Sequence, residues 1–308
     1  MNTKPIIRNL TIAIVAFLAL DFALGEIAVY GIRKFYGLNQ HSDMLLIGHS
    51  QLMLATDKEQ MEADLGLKIS KFCREGADVN DRYIMSKMFL DSPYSDSLKY
   101  VVYGVDLYTF TNGNLSINSH KAFYPFVYDS NIEAYIRQHT GLTDFYLTKY
   151  ISTYRFNDDI TKNASLRGLR SDWSNKNGVI DIEAYKKQLQ DKSEFKIQMN
   201  PDLMKTFDNT VRLFTAKGVK VILVNTPTLD LLNANQPDKF KEITEWYETY
   251  ARQNPMVEYW NFNQDYSSSH ELFFDRIHVN VEGQKKVSAA MTRKFIETYL
   301  KAQTNLNR

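Results

Sequence analysis

Cysteine is almost missing from this chain of 308 residues. Cys73 stands alone, so no internal disulfide and no cysteine-based zinc site can form. Histidine is scarce too, with six residues scattered along the chain without metal-ligand spacing. Neither sign of charge dominates: 37 Lys and Arg face 36 Asp and Glu, for a formal net charge of +1. No basic stripe or aromatic-arginine cluster marks a nucleic-acid surface. Internal repeats and low-complexity tracts are also lacking. What remains is a chain long enough for one large α/β domain or two smaller ones, with a substantial core. Its aromatic residues are mostly Tyr and Phe, which suits a sugar-binding cleft as well as ordinary packing.

The amino-terminus carries the one long apolar run. Lys4 and Arg8 precede Leu10 to Leu20, and apolar character continues through Phe22, Leu24, Ile27 and Val29. Leu10–Leu20 alone is short for a membrane span of about 20 residues, but the stretch from Ile6 to Tyr30 suffices while including Asp21 and Glu26. Ala23-Leu24-Gly25 offers a small-x-small cleavage site, so a cleaved signal peptide competes with a retained anchor. Asp21 is unusual in such a site and apolar residues continue past it on helical spacing, which favours retention. A buried amphipathic helix is the remaining alternative. Lys4 and Arg8 place the amino-terminus in the cytoplasm, although Arg33 and Lys34 on the far side oppose this. Residues 1–36 therefore read as anchor and stalk, with residues 37–308 outside the inner membrane.

Beyond the stalk, short apolar runs alternate with helical patterns. Met44–Ile47, Leu67–Phe72, Tyr100–Val105, Val219–Val224 and Val257–Trp260 read as strands. Helices are predicted from Thr56-Asp57-Lys58-Glu59, a capping box, to Leu65, and over Asp78–Phe89, Asp202–Lys217, Pro237–Arg252 and Val281–Lys301. This alternation implies an α/β fold with a parallel sheet covered on both faces. Leu107–Asn200 breaks the rhythm. Polar and rich in Tyr, Asn and Ser, it reads as an insertion, either a lid or a decoration.

Two short stretches carry chemistry. Gly48-His49-Ser50 follows the apolar Met44–Ile47, which presents a serine at the carboxyl edge of the sheet, where open α/β folds bind ligands. Asp275-Arg276-Ile277-His278 lies before the last amphipathic segment, and an Asp three residues before a His on a loop can orient it as a base for that serine. Each motif is common by chance; their order and flanks make the case.

In series these residues resemble the SGNH (GDSL-like) hydrolase family, particularly its membrane-anchored branch of alginate O-acetylation and D-alanine transfer proteins. Leu46-Ile47-Gly48-His49-Ser50 is similar to the first block, Arg74-Glu75-Gly76-Ala77 to the second, and Asp275 through Asn280, followed by Gly283, to the last. The resemblance implies a three-layer α/β/α, flavodoxin-like sandwich. It also implies Ser50 as nucleophile, His278 as base and Asp275 as its orienter, with the Ser50 and Gly76 amides forming an oxyanion hole. No cofactor or metal is implied. The third block departs from the pattern: Gly104-Val105-Asp106 has Asp where the family usually has an oxyanion-donating Asn, and an ionised carboxylate cannot donate. Asp106 is then neutral, or faces a cation such as Arg74 or Arg276, or another group completes the hole. His49, where a small polar residue is common, is expected to shape the turn or touch substrate. The implied function is that of an extracytoplasmic serine esterase or O-acyltransferase acting on acylated carbohydrate or a cell-envelope polymer. A non-catalytic partner of a membrane-bound O-acyltransferase is the alternative.

Overall fold

Five short runs of branched and aromatic residues, too brief for helices and bounded by polar turns, pair in the computed structural model as one parallel sheet. The structure describes residues 3–112, 118–190 and 197–301. In chain order the strands are β1 (Met44–Gly48), β2 (Ile69–Cys73), β3 (Tyr100–Val105), β4 (Lys220–Asn225) and β5 (Val257–Asn261). The helices are α1 (Lys4–Tyr36), α2 (Ser50–Ala55), α3 (Lys58–Leu65), α4 (Val79–Leu90), α5 (Ser130–His139), α6 (Leu142–Tyr150) and α7 (Asp159–Arg170). They continue with α8 (Ile182–Gln190), α9 (Pro201–Thr215), α10 (Asp230–Asn233), α11 (Pro237–Gln253), α12 (Asn263–Tyr266) and α13 (Val281–Phe295). The chain divides into two compact units: residues 1–39 with 118–173, and residues 40–117 with 174–308.

The larger unit holds the sheet, in the order β2-β1-β3-β4-β5. This is the flavodoxin-like order, in which the chain leaves β1 to one side for β2 and returns to the other for β3. Met44 is in register with Ile69 on one side and Tyr100 on the other. Side chains alternate across the strands. Met44, Leu46, Val102 and Ile222 join one core with Leu52, Met61, Val287, Met291 and Phe295 from α2, α3 and α13. On the other face α4 packs against α9, and Tyr103 meets Phe207 edge to face at 5.3 Å between ring centroids. Burial on both faces is why the strands read as nearly unbroken apolar runs. Each fully buried large apolar side chain contributes about 1.5–3 kcal/mol, so these two layers dominate the stability of the unit. This parallel α/β sheet with flanking helices is consistent with the SGNH hydrolase fold expected from sequence. Cys73 ends β2 fully buried, and burial pushes its thiol up to about 12.

The caps refine the predicted helix starts. Asp57, not Thr56, caps α3 by accepting from the Gln60 N–H, because the Thr56 hydroxyl turns back to donate to the Leu52 carbonyl. Asp78 and Asp81 form a reciprocal capping box at α4. The closing helix runs to its predicted end, as α-helix to Phe295 and then as a π-helix over Ile296–Leu300.

The smaller unit packs α1 against α7 and the segment between α6 and α7. Of the expected insertion, residues 118–173 belong to this unit with α1, whereas residues 174–190 belong with the sheet. Residues 4–20 of α1 are exposed throughout, whereas Asp21, Gly25, Gly31, Ile32 and Tyr36 are buried. Its most apolar 18-residue window has a mean hydropathy of 2.2, so the helix is long and apolar enough to cross a membrane, a test that a signal sequence also passes. Gly31 and Gly168 let the two helices touch at the backbone. A Cβ on Gly168 would lie 1.8 Å from the Gly31 carbonyl oxygen, and the Ser165 hydroxyl donates to the Ala28 carbonyl at 2.8 Å. Gly168→Val should therefore force the helices apart and destabilise this unit by about 1–3 kcal/mol, the cost of overpacking. Limited proteolysis should then cut within residues 118–173 faster than in the wild type; an unchanged cleavage rate would contradict this packing.

Candidate active site

The two strands on either side of the topological switch end side by side, and both carry the chemistry on their next residues. After Gly48 the chain turns through His49, which caps the short helix α2, and Ser50 becomes the first residue of that helix. The Arg74 N–H donates to the Gly48 carbonyl at 3.1 Å, which holds the turn containing Gly76 beside the end of β1. Gly76 has φ of 70°, a left-handed conformation that favours glycine over any side chain.

Asp275 and His278 arrive from the loop before α13. One Asp275 oxygen accepts the backbone N–H groups of Ile277 and His278, each at 2.9 Å, folding the loop tightly. The other lies 2.8 Å from His278 Nδ1. Asn280 caps α13 through the Glu282 and Gly283 amides while its own amide donates to the Gly178 and Glu271 carbonyls, so both ends of the loop are fixed. Across 228 residues of sequence, His278 Nε2 lies 2.8 Å from Ser50 Oγ. A carboxylate only accepts, so Nδ1 carries the imidazole proton and Nε2 faces the serine hydroxyl with its lone pair. Burial alone would raise the Asp275 pKa, but the His278 bond and charge and the two backbone donors outweigh it and hold the carboxyl below its ordinary range. The structure thus brings Ser50, His278 and Asp275 into one hydrogen-bonded chain, able to polarise a hydroxyl toward nucleophilic attack.

Asp106 directly follows β3, as the resemblance implies, but both of its carboxylate oxygens act as acceptors. Of its carboxylate oxygens, one accepts from His49 Nε2 and the other from the Tyr108 N–H. An ionised carboxylate cannot donate to an oxyanion, and the neighbours that hold Asp106 ionised are His49 and the buried Arg82. The His49 Nδ1 accepts the Gln51 N–H at 3.0 Å, so that nitrogen bears no proton and the imidazole is the neutral Nε2–H tautomer. Burial pushes the His49 pKa down, against the pull of Asp106. Burial would raise Asp106 as well, but the His49 bond, the buried Arg82 guanidinium and the Tyr108 amide hold it below the usual carboxylate range. Arg82 donates to the Gly104 carbonyl at 2.7 Å, two residues before Asp106. Sequence reasoning missed this pairing. Its one available signal was that β1 and β3, the strands preceding His49 and Asp106, were both expected in the same sheet.

A cavity of about 390 Å³ opens beside the triad, lined by Ile180, Ala184 and Tyr185 and by Asp275, Arg276 and Ile277. Asn225 ends β4 buried, with its amide near the Tyr259 hydroxyl. Among the described residues, no group of three or more His, Cys, Asp or Glu side chains is placed to hold a metal ion.

Residues 178–291 match the GDSL-like lipase/acylhydrolase family model, a span that contains Asp275 and His278 but ends far from Ser50, Gly76 and Asp106 in sequence. The match implies hydrolase activity. No curated protein matches the chain.

The Asp106 bonds generate a prediction. In Asp106→Asn the amide NH₂ must face either the His49 N–H or the Tyr108 N–H, and a buried donor without an acceptor costs about 1–3 kcal/mol. The folded pKa values of His49 and Asp106 both lie below their unfolded values, so the stability they supply is full above those values and is lost as pH falls. The melting-temperature deficit of Asp106→Asn should accordingly be largest near neutral pH, begin to narrow below roughly pH 4, where the unfolded carboxylate takes a proton, and close only below the lower folded value. A deficit that grows on acidification would overturn the assignment of Asp106 as an ionised acceptor.

Proposed function

We propose that this protein is a membrane-anchored serine esterase or O-acyltransferase. The observation that carries the reading is the unbroken hydrogen-bonded chain from Asp275 through His278 to Ser50. Ser50 Oγ attacks the acyl carbonyl while His278 Nε2 takes its proton, and Asp275 stabilises the imidazolium that forms. The Ser50 amide, at the start of α2, and the Gly76 amide donate to the developing oxyanion. Collapse of the tetrahedral adduct expels the alcohol, which leaves with the proton from His278, and Ser50 carries the acyl group as an ester. His278 then deprotonates the acceptor, which attacks the acyl-serine and regenerates the hydroxyl. Water as acceptor gives hydrolysis and a sugar hydroxyl gives transfer. Acylated carbohydrate or a cell-envelope polymer is the proposed substrate class. The lining of the Asp275 cavity by Ile180, Ala184 and Tyr185 supports a role for the α8 segment in binding the acceptor and excluding water.

Retention of α1 as an anchor is supported by its packing. Cleavage near Ala23-Leu24-Gly25 would remove Asp21, which is buried and accepts from Ser152 and Thr153 of its own unit. On this reading the chain sits in the inner membrane with its sheet-bearing unit outside the cytoplasm, where a membrane-bound O-acyltransferase is a proposed partner.

A fluorophosphonate probe should label the wild type at Ser50 and leave Ser50→Ala unlabelled. Ser50→Ala and His278→Ala should lose hydrolysis of short acyl esters by about 10⁴-fold or more, with Asp275→Asn somewhat less affected. Absence of both labelling and turnover in the wild type would sink the enzymatic reading and leave the non-catalytic partner of an O-acyltransferase.

A further inference from the structure

The smaller unit carries a surface that inverts the usual distribution of polarity. Along α6, Phe145 and Thr148 face inward and are buried. The opposite face presents Leu142 at 66% exposure, Tyr146 at 48%, Leu147 at 37% and Tyr150 at 66%. Leu142, Tyr146 and Tyr150 follow one another at four-residue spacing and so form a single stripe. The two tyrosine rings stack in parallel, 6.2 Å between centroids. The only charges on α6 flank this face and are already engaged: Lys149 donates to Glu133 at 2.6 Å, and Asp144 accepts the Tyr154 hydroxyl at 2.6 Å. A water-facing helix of a soluble domain carries its charges outward. This one presents leucine and tyrosine, the composition of the membrane–water boundary, where tyrosine rings sit at headgroup level.

What covers this face follows from how α6 is tied to α1. The chain leaving Tyr150 reaches Ser152 and Thr153 two and three residues on, and their amides donate to the Asp21 carboxylate at 2.6 and 3.0 Å. The Thr153 hydroxyl donates to the same group at 2.5 Å. Asp21 is the first acidic residue after the apolar run, and every residue from 4 to 20 is exposed along its length. Lys4 and Arg8 lie within that stretch, so the apolar run before Asp21 is Leu10–Leu20, about 16 Å of helix, and a helix crossing hydrocarbon continues past Asp21. Three donors satisfy this one carboxylate on the apolar helix, and through them the carboxyl end of α6 is bonded directly to α1. Exposed apolar residues continue along α1 past Asp21 at Phe22, Ile27 and Tyr30, so apolar surface is continuous on both sides of the point where α6 is tied to α1.

We infer that the Leu142–Tyr146–Leu147–Tyr150 face of α6 is a lipid-contact surface lying in the headgroup region, so that the smaller unit rests on the bilayer rather than hanging from a single helix. This rests on the retained anchor proposed above. A phospholipid bilayer is the one occupant argued for; a second copy of the chain would cover the face without lipid contact.

The test uses full-length protein in phosphatidylcholine–phosphatidylglycerol vesicles, with an environment-sensitive nitrobenzoxadiazole label on Tyr150→Cys or, independently, Leu142→Cys. Both positions are exposed, so neither label needs the fold to yield. A label on Leu18→Cys reports the anchor. Lipids bearing a nitroxide near the headgroup should remove most of the emission at positions 142 and 150, and lipids with a nitroxide deep in the acyl chain should remove most of it at position 18. Quenching at 18 with red-shifted, unquenched emission at 142 and 150 would overturn the α6 surface while keeping the anchor. Blue-shifted but unquenched emission at 142 and 150 would also overturn it, in favour of a second copy. No quenching at 18 would remove the anchor and this inference with it.

Discussion

The hydrogen bond between His49 and Asp106 joins the ends of the two strands from which the site is built. β1 and β3 are neighbours at the point where a flavodoxin-like sheet reverses its order, and there the loops splay apart to open a crevice. An open crevice leaves backbone ends unsupported. Here one imidazole holds them, donating to the carboxylate after β3 and accepting the amide of Gln51 in the first turn of α2. Because Ser50 lies between His49 and Gln51, the position of its hydroxyl is set from both sides before any substrate arrives. The ionised Asp106 is tolerated because its charge is consumed locally, by His49, by the Tyr108 amide and by the nearby Arg82 guanidinium. Removing one partner of such a buried pair leaves the other uncompensated, which is why the pair behaves as a unit.

The two ends of the candidate triad were legible in sequence because each is coded locally. A strand that must be buried on both faces spells Met44–Ile47 as a continuous apolar run, and the serine beyond it is placed by that strand alone. Asp275 and His278 sit in a loop whose fold depends on bonds spanning two and three residues. The strands were placed to within about two residues for the same reason. The His49–Asp106 bond was not legible, since it links residues 57 apart that meet only after β1 and β3 pair. Capping chemistry was ambiguous between Thr56 and Asp57, because either side chain can accept an amide and only the preceding turn of α2 decides.

The amino-terminal segment shows a different limit. Its hydropathy announces a span, but its helical partner does not announce itself, because backbone contact is encoded by the smallness of Gly31 and Gly168 rather than by apolar pattern. A weakly periodic stretch such as residues 118–173 reads as decoration until the surface it packs against is known. Asp21, awkward in an anchor considered alone, is resolved once the Ser152 and Thr153 amides are seen to satisfy it.

Cys73, at the end of β2, has a practical consequence. Its thiol is fully buried and remains almost entirely protonated near neutral pH, so the folded chain offers no reactive thiolate. An alkylating reagent reaches it only when the sheet opens at that edge strand. The rate of that reaction therefore reports how often β2 detaches, and a single natural residue becomes a clock for local opening beside the Gly76 turn.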